Sequence, residues 1–138
     1  MKKFGLFFFL LVFLIGACAT VSQKAPMTSS DLSFLKGEWE GTRVIQFDKL
    51  ISTDWTEMEI FNDSIPLKGK MTIYYLQGSD TRRYSFENGF IDPEGNLSIR
   101  LTEINNITLS LYREEKRIKL DGYYTHRGNL GTLTLYKK

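Results

Sequence analysis

Residues 97–121 read LSIRLTEINNITLSLYREEKRIKLD. Apolar and polar side chains alternate in three successive stretches of this segment. Leu97, Ile99 and Leu101 alternate with Ser98, Arg100 and Thr102. Ile107, Leu109 and Leu111 alternate with Thr108, Ser110 and Tyr112, and Ile118 and Leu120 with Arg117, Lys119 and Asp121. Successive side chains of a strand point to opposite faces, so each stretch predicts a strand with one buried face. Asn105-Asn106 and Glu114-Glu115 separate them and leave room only for hairpin turns. Strands joined this tightly are antiparallel neighbours.

The same pattern extends in both directions. Strands are expected at 39–47, 54–62, 68–77, 81–91, 96–103, 106–113, 116–126 and 129–137. Asp92-Pro93-Glu94-Gly95-Asn96 carries proline at the second turn position and a glycine to close the turn. Gly78-Ser79-Asp80 and Arg127-Gly128-Asn129 add further breaks. The prediction is an all-β domain of about eight strands in an up-and-down antiparallel meander. An even count brings the first and last strands together antiparallel, which closes a barrel and removes its edges. A barrel of this size is filled by side chains or holds one small ligand. A short helical turn is expected before the first strand, capped by Ser30 or Asp31 and ended by Gly37.

The first strand opens with Phe34-Leu35-Lys36-Gly37-Glu38-Trp39-Glu40-Gly41. This stretch resembles the G-x-W opening of lipocalins and related small barrels. The run Leu120-Asp121-Gly122-Tyr123-Tyr124 followed by Gly131-Thr132-Leu133-Thr134-Leu135 is similar to the closing hairpin of bacterial lipocalin-like domains. The resemblance implies that Trp39 packs across one end of the barrel as a plug. Lipocalins place an arginine near the end of the last strand against that tryptophan; Lys137 and Lys138 stand there in this chain.

The chain begins MKKFGLFFFLLVFLIGACA. Lys2 and Lys3 form a positive start, Leu6 to Ile15 is unbroken apolar sequence, and Gly16-Ala17-Cys18 is a small-residue cleavage site. The apolar run falls well short of the roughly 20 residues a spanning helix needs. Leu14-Ile15-Gly16-Ala17-Cys18 resembles the lipobox of bacterial lipoproteins. That resemblance implies a signal peptide over 1–17, cleavage before Cys18, and acylation of Cys18 by fatty-acyl chains such as palmitate. Ala19, rather than an aspartate, follows the cysteine; in a Gram-negative cell this implies sorting to the periplasmic side of the outer membrane. Residues 18–30 then read as the lipidated cysteine with a flexible tether, and 31–138 as the barrel domain.

Charge and composition exclude several functions. The chain has 18 Lys+Arg and 16 Asp+Glu, and removing Lys2 and Lys3 with the signal leaves a formally neutral domain. Such a domain lacks the basic footprint of a nucleic-acid binder. Cys18 is the only cysteine, so no disulfide is possible, and His126 is the only histidine, which excludes a multi-histidine metal site. No cofactor and no metal are expected. No Ser-His-Asp set assembles, and Glu57 and Glu59, two apart, read as a solvated outer face rather than an acid–base pair. An enzyme is not expected.

Alternation places Arg43 on the face of Trp39 and Ile45, pointing into the barrel unless a bulge at Gly41 turns it outward. An inward arginine can bind a carboxylate or another anionic group. Of the steps Tyr74-Tyr75 and Tyr123-Tyr124, one ring each must face inward. In a meander the connections 48–53, 78–80, 104–105 and 127–128 share one end, opposite Trp39, where a pocket would open. Leu50 and Ile51 on the first of these suggest an apolar lid. The candidate ligand contacts are Arg43, Leu50, Ile51, Trp55, Tyr75, Tyr84, Phe86 and Tyr124. The expected function is that of a membrane-anchored envelope lipoprotein binding a small apolar or amphipathic ligand. The alternative is a solid-core barrel that binds another envelope protein.

Overall fold

The computed structural model describes residues 22–76 and 80–138. The segment expected to be a signal peptide, Cys18, and the break expected at Gly78-Ser79 lie outside the described residues. The chain runs through β1 (Gln23–Ala25), a 3-10 turn (Ser29–Asp31) and α1 (Leu32–Leu35), then eight barrel strands. These are β2 (Gly37–Phe47), β3 (Leu50–Ile60), β4 (Leu67–Tyr74), β5 (Thr81–Ile91), β6 (Leu97–Thr102), β7 (Asn105–Arg113), β8 (Ile118–His126) and β9 (Asn129–Lys137).

Each barrel strand pairs antiparallel with the next, and β2 pairs with β9 from Trp39 opposite Lys137 to Ile45 opposite Gly131. The closed eight-stranded meander is therefore present. Gly41 permits the closure: a Cβ there would lie 2.0 Å from the Thr134 carbonyl oxygen. The β8–β9 turn uses Arg127 and Gly128, both at positive φ, the pair of left-handed residues that a tight hairpin requires. Only two pairs, Phe90 with Ser98 and Ile91 with Leu97, join β5 to β6. Beyond them the side-chain amide of Asn88 takes over from the ladder. It donates to the Arg100 carbonyl and accepts from the Arg100 N–H, both at 2.8 Å.

The end reached by the N-terminal segment is sealed. Trp39 is buried and donates its indole N–H to the Leu35 carbonyl at 2.9 Å. Leu32, Leu35 and Met27 pack beneath it as part of the core. Lys137 fills the place where the lipocalin resemblance puts an arginine. Its ammonium lies 5.1 Å from the Trp39 ring centroid and donates to the Lys36 carbonyl at 2.6 Å and to the Phe34 carbonyl. This stacks a cation on the plug and satisfies carbonyls left free at the end of the helical turn. Asp31 is the N-cap of α1, one of the two residues expected there, and Thr28 caps the 3-10 turn that precedes it: its N–H and hydroxyl donate to the Asp31 carboxylate at 2.9 and 3.1 Å.

Two expectations need correction. The segment read as a tether is partly structured, because Gln23–Ala25 pairs with Leu111–Arg113 of β7, beyond the point at which β6 stops pairing. The expected 48–53 loop is a two-residue turn at Asp48-Lys49, and β2 and β3 run to its edges with Phe47 opposite Leu50. This hairpin rises past its neighbours: β9 leaves β2 at Ile45 and β4 leaves β3 at Trp55.

Candidate functional site

At the end opposite Trp39 the interior becomes polar. No bulge interrupts β2 at Gly41, so Arg43 points inward and is buried. Asp54 lies directly across from it on β3, also fully buried, and accepts a hydrogen bond from the Arg43 guanidinium. The Ser52 hydroxyl donates to the other Asp54 oxygen at 2.8 Å. The guanidinium carbon lies 5.1 Å from the Tyr75 ring centroid and 4.9 Å from that of Tyr124. Burial is the largest single influence on Arg43 and disfavours its charge, but the Asp54 hydrogen bond and the electrostatics of Tyr75, Tyr124 and Asp54 together outweigh it, so the arginine pKa stands above its usual value. Burial pushes the Tyr124 hydroxyl up to about 12, with the Arg43 charge pulling the other way. Arg43 Nε, the Thr56 hydroxyl and the Tyr124 hydroxyl are buried and have no hydrogen-bond partner. Groups so placed call for a water or a ligand atom.

A cleft of about 540 Å³ lies over this cluster. Phe47, Leu50 and Ile51 of the protruding hairpin form its apolar wall, Ser52 and Tyr75 its floor, and Asp80, Arg82 and His126 line the rest. Ser52 and Tyr75 are the groups that hold Asp54 and Arg43, so the cleft floor is the outer surface of the buried pair. His126 meets the Phe47 ring edge to face, with centroids 6.0 Å apart, and its Nδ1 lies 2.5 Å from the Asn105 side-chain oxygen.

The structure brings most of the expected residues together. Arg43, Tyr75 and Tyr124 form the cluster, Tyr84 packs inward against the core, and Leu50 and Ile51 stand at the mouth, on a strand rather than a loop; Phe86 is buried deeper, beside Gly69, and does not line the cleft. Trp55 does not join them. It is 40% exposed on the outer face, because Asp54, Thr56, Met58 and Ile60 take the inward positions of β3. Glu57 and Glu59 share that outer face. Glu57 accepts from the Tyr74 hydroxyl at 2.8 Å and Glu59 pairs with Lys70 at 2.7 Å. Tyr74 and Tyr123 face outward, opposite their inward partners, as the period of two requires.

Asp54, Ser52, Phe47, Arg82 and His126 are members of the site that the sequence reading passed over. A signal for Asp54 existed: it has the opposite parity to Glu57 and Glu59 on the same strand, so it must face Met58 and Ile60. His126, read as an exposed turn residue, is half-buried. Its partial burial and the charges of Arg127, Arg43 and Arg82 hold its pKa below the usual value. A depressed histidine pKa means that the unfolded chain binds the proton first. Stability should therefore be full above the unfolded pKa and decline as pH falls from about 6.5. Urea midpoints at pH 7.5 and 5.5 should show a larger drop for the natural chain than for His126→Gln; equal drops would assign the slope to other groups.

No family model matches the chain, and no curated protein or solved structure matches it.

Proposed function

We propose that this chain is a lipid-anchored envelope protein whose barrel binds a small amphipathic molecule at its open end. One observation carries the reading: an apolar-walled cleft has Ser52 and Tyr75 as its floor, the same groups that touch the buried Asp54 and Arg43. The ligand's apolar part rests on Phe47, Leu50 and Ile51, and its polar end faces Ser52, Tyr75 and Arg82. The bulky side chains Trp39, Met58, Met71 and Phe86 fill the barrel below Arg43, so the ligand sits in the mouth rather than deep inside. The cleft sets apolar surface beside a few hydrogen-bonding side chains, the combination that small-molecule binding sites use. Acylated Cys18 supplies the membrane attachment, on the periplasmic face of the outer membrane in a Gram-negative cell.

Titration with the apolar fluorophore N-phenyl-1-naphthylamine tests this site. Saturable binding with one probe per chain is expected, weakened about tenfold by Ile51→Asp, the loss of one good apolar contact. Unsaturable binding, or equal affinity in the variant, would overturn the assignment.

A second reading has its own support. Leu50, Ile51, Leu76, Ile104 and Leu130 are all exposed near the open end. A rim of this kind fits an envelope protein partner as well as a ligand lid.

A further inference from the structure

We infer that the barrel stands on its own membrane by the sealed end, with Phe34, Phe61 and Ile65 seated among the lipid headgroups and the cleft facing away from the bilayer. The inference rests on the lipoprotein reading of Cys18 and goes beyond it by fixing which surface meets lipid.

The leash is short. Because β1 is part of the fold, only five peptide steps separate Cys18 from Gln23, and five steps span at most ~18 Å. Gln23 pairs with Arg113, the last residue of β7, at the sealed end. A strand the length of β2, tilted as barrel strands are, rises roughly 25 Å from that end to the mouth. An acylated Cys18 at the headgroup level therefore cannot lie beside the mouth rim, whereas the sealed end is within easy reach.

The sealed end has the side chains for such a contact. Phe34 is 44% exposed, and Phe61 and Ile65 are each 50% exposed, although α1 and the 61–66 connection could have turned them inward. The Arg113 guanidinium lies 5.0 Å from the Phe34 ring centroid and the Lys70 ammonium 5.8 Å from that of Phe61. A ring under a long cationic side chain is the arrangement that places carbon below and charge above a membrane interface. Lys36 and Lys68 are exposed beside them, balanced by Asp63 and Glu94. With charge balanced, the contact depends on the apolar side chains and needs no anionic lipid. The ligand cleft then loads from the aqueous compartment rather than from its own bilayer.

The test uses the full chain, expressed in a bacterium and reconstituted into phosphatidylcholine vesicles that carry nitroxide lipid. Ser64→Cys at the sealed end and Lys49→Cys at the tip of the mouth hairpin are each labelled with a thiol-reactive fluorophore, and the intact mass reports acylation of Cys18. In the acylated chain, quenching of the Ser64 label should exceed that of the Lys49 label at least about threefold. Adding Phe61→Ser and Ile65→Ser should remove most of the excess. Equal quenching, stronger quenching at Lys49, or no effect of the two serines would overturn the orientation while leaving the anchor intact. So would a Ser64 label shielded from aqueous iodide yet untouched by nitroxide lipid, which would mean that a protein or a second copy of the chain covers this end. A mass showing Cys18 unmodified would end the lipoprotein reading and this inference with it.

Discussion

Asp54→Ala should destabilise the barrel by about 3–5 kcal/mol, the cost of leaving a buried charge without its partner. Arg43 is buried and its guanidinium donates to Asp54, so removing the carboxylate strands a cation against the rings of Tyr75 and Tyr124. Cation–π attraction offsets only about 2 kcal/mol of such a loss. The pair itself has a smaller net worth, because both charges were taken out of water to form it. Arg43→Met combined with Asp54→Leu should therefore recover most of the lost stability, while either single change is severe. Urea unfolding followed by tryptophan fluorescence measures Asp54→Ala, the two single changes and the double change. A loss below about 1 kcal/mol for Asp54→Ala would mean that water reaches the pair.

Trp39→Ala should cost a similar amount, about 3–5 kcal/mol, by a different route. Here the loss is volume: the indole seals the barrel end over Leu35 and supports the Lys137 ammonium. Its removal also leaves the Leu35 carbonyl without a donor. Trp39→Phe should cost clearly less, since the ring remains and only the N–H bond and part of the volume go. Thermal unfolding followed by far-ultraviolet circular dichroism suits this pair, because Trp55 on the outer face would otherwise dominate the fluorescence. Equal losses for the two variants would place the importance of Trp39 in its hydrogen bond rather than its bulk.

The strands were legible because alternation and turn chemistry agreed along most of the chain. Leu97–Thr102 and Asn105–Arg113 lie within a residue or two of the expected bounds, and β2 closes on β9 as an even meander must. β1 was not legible. Gln23-Lys24-Ala25 carries no alternation and becomes a strand only because β7 has an open edge at Leu111–Arg113, a fact of the assembled sheet. The hairpin tip was misread for a related reason. Ser52, Thr53 and Asp54 look like loop residues, yet a two-residue turn at Asp48-Lys49 lets β3 begin at Leu50.

The site was legible in part. The inward direction of Arg43 follows from its parity with Trp39 and Ile45. Its partner was missed because a lone aspartate on a strand reads as solvent-facing until the arginine opposite is seen. Trp55 shows the converse: an aromatic side chain suggests a pocket, but its parity with Glu57 and Glu59 puts it outside. On a half-buried strand, alternation decides orientation even where residue type argues against it.

The central claim is that the mouth cleft holds a molecule in the cell. Native mass spectrometry of the full chain, expressed in a bacterium, purified in mild detergent and then denatured for small-molecule analysis, tests it most directly. The account predicts one discrete small-molecule adduct per chain, reduced in Ile51→Asp and unchanged in Trp55→Ala. A chain that carries no small molecule but retains one stoichiometric protein partner would contradict it.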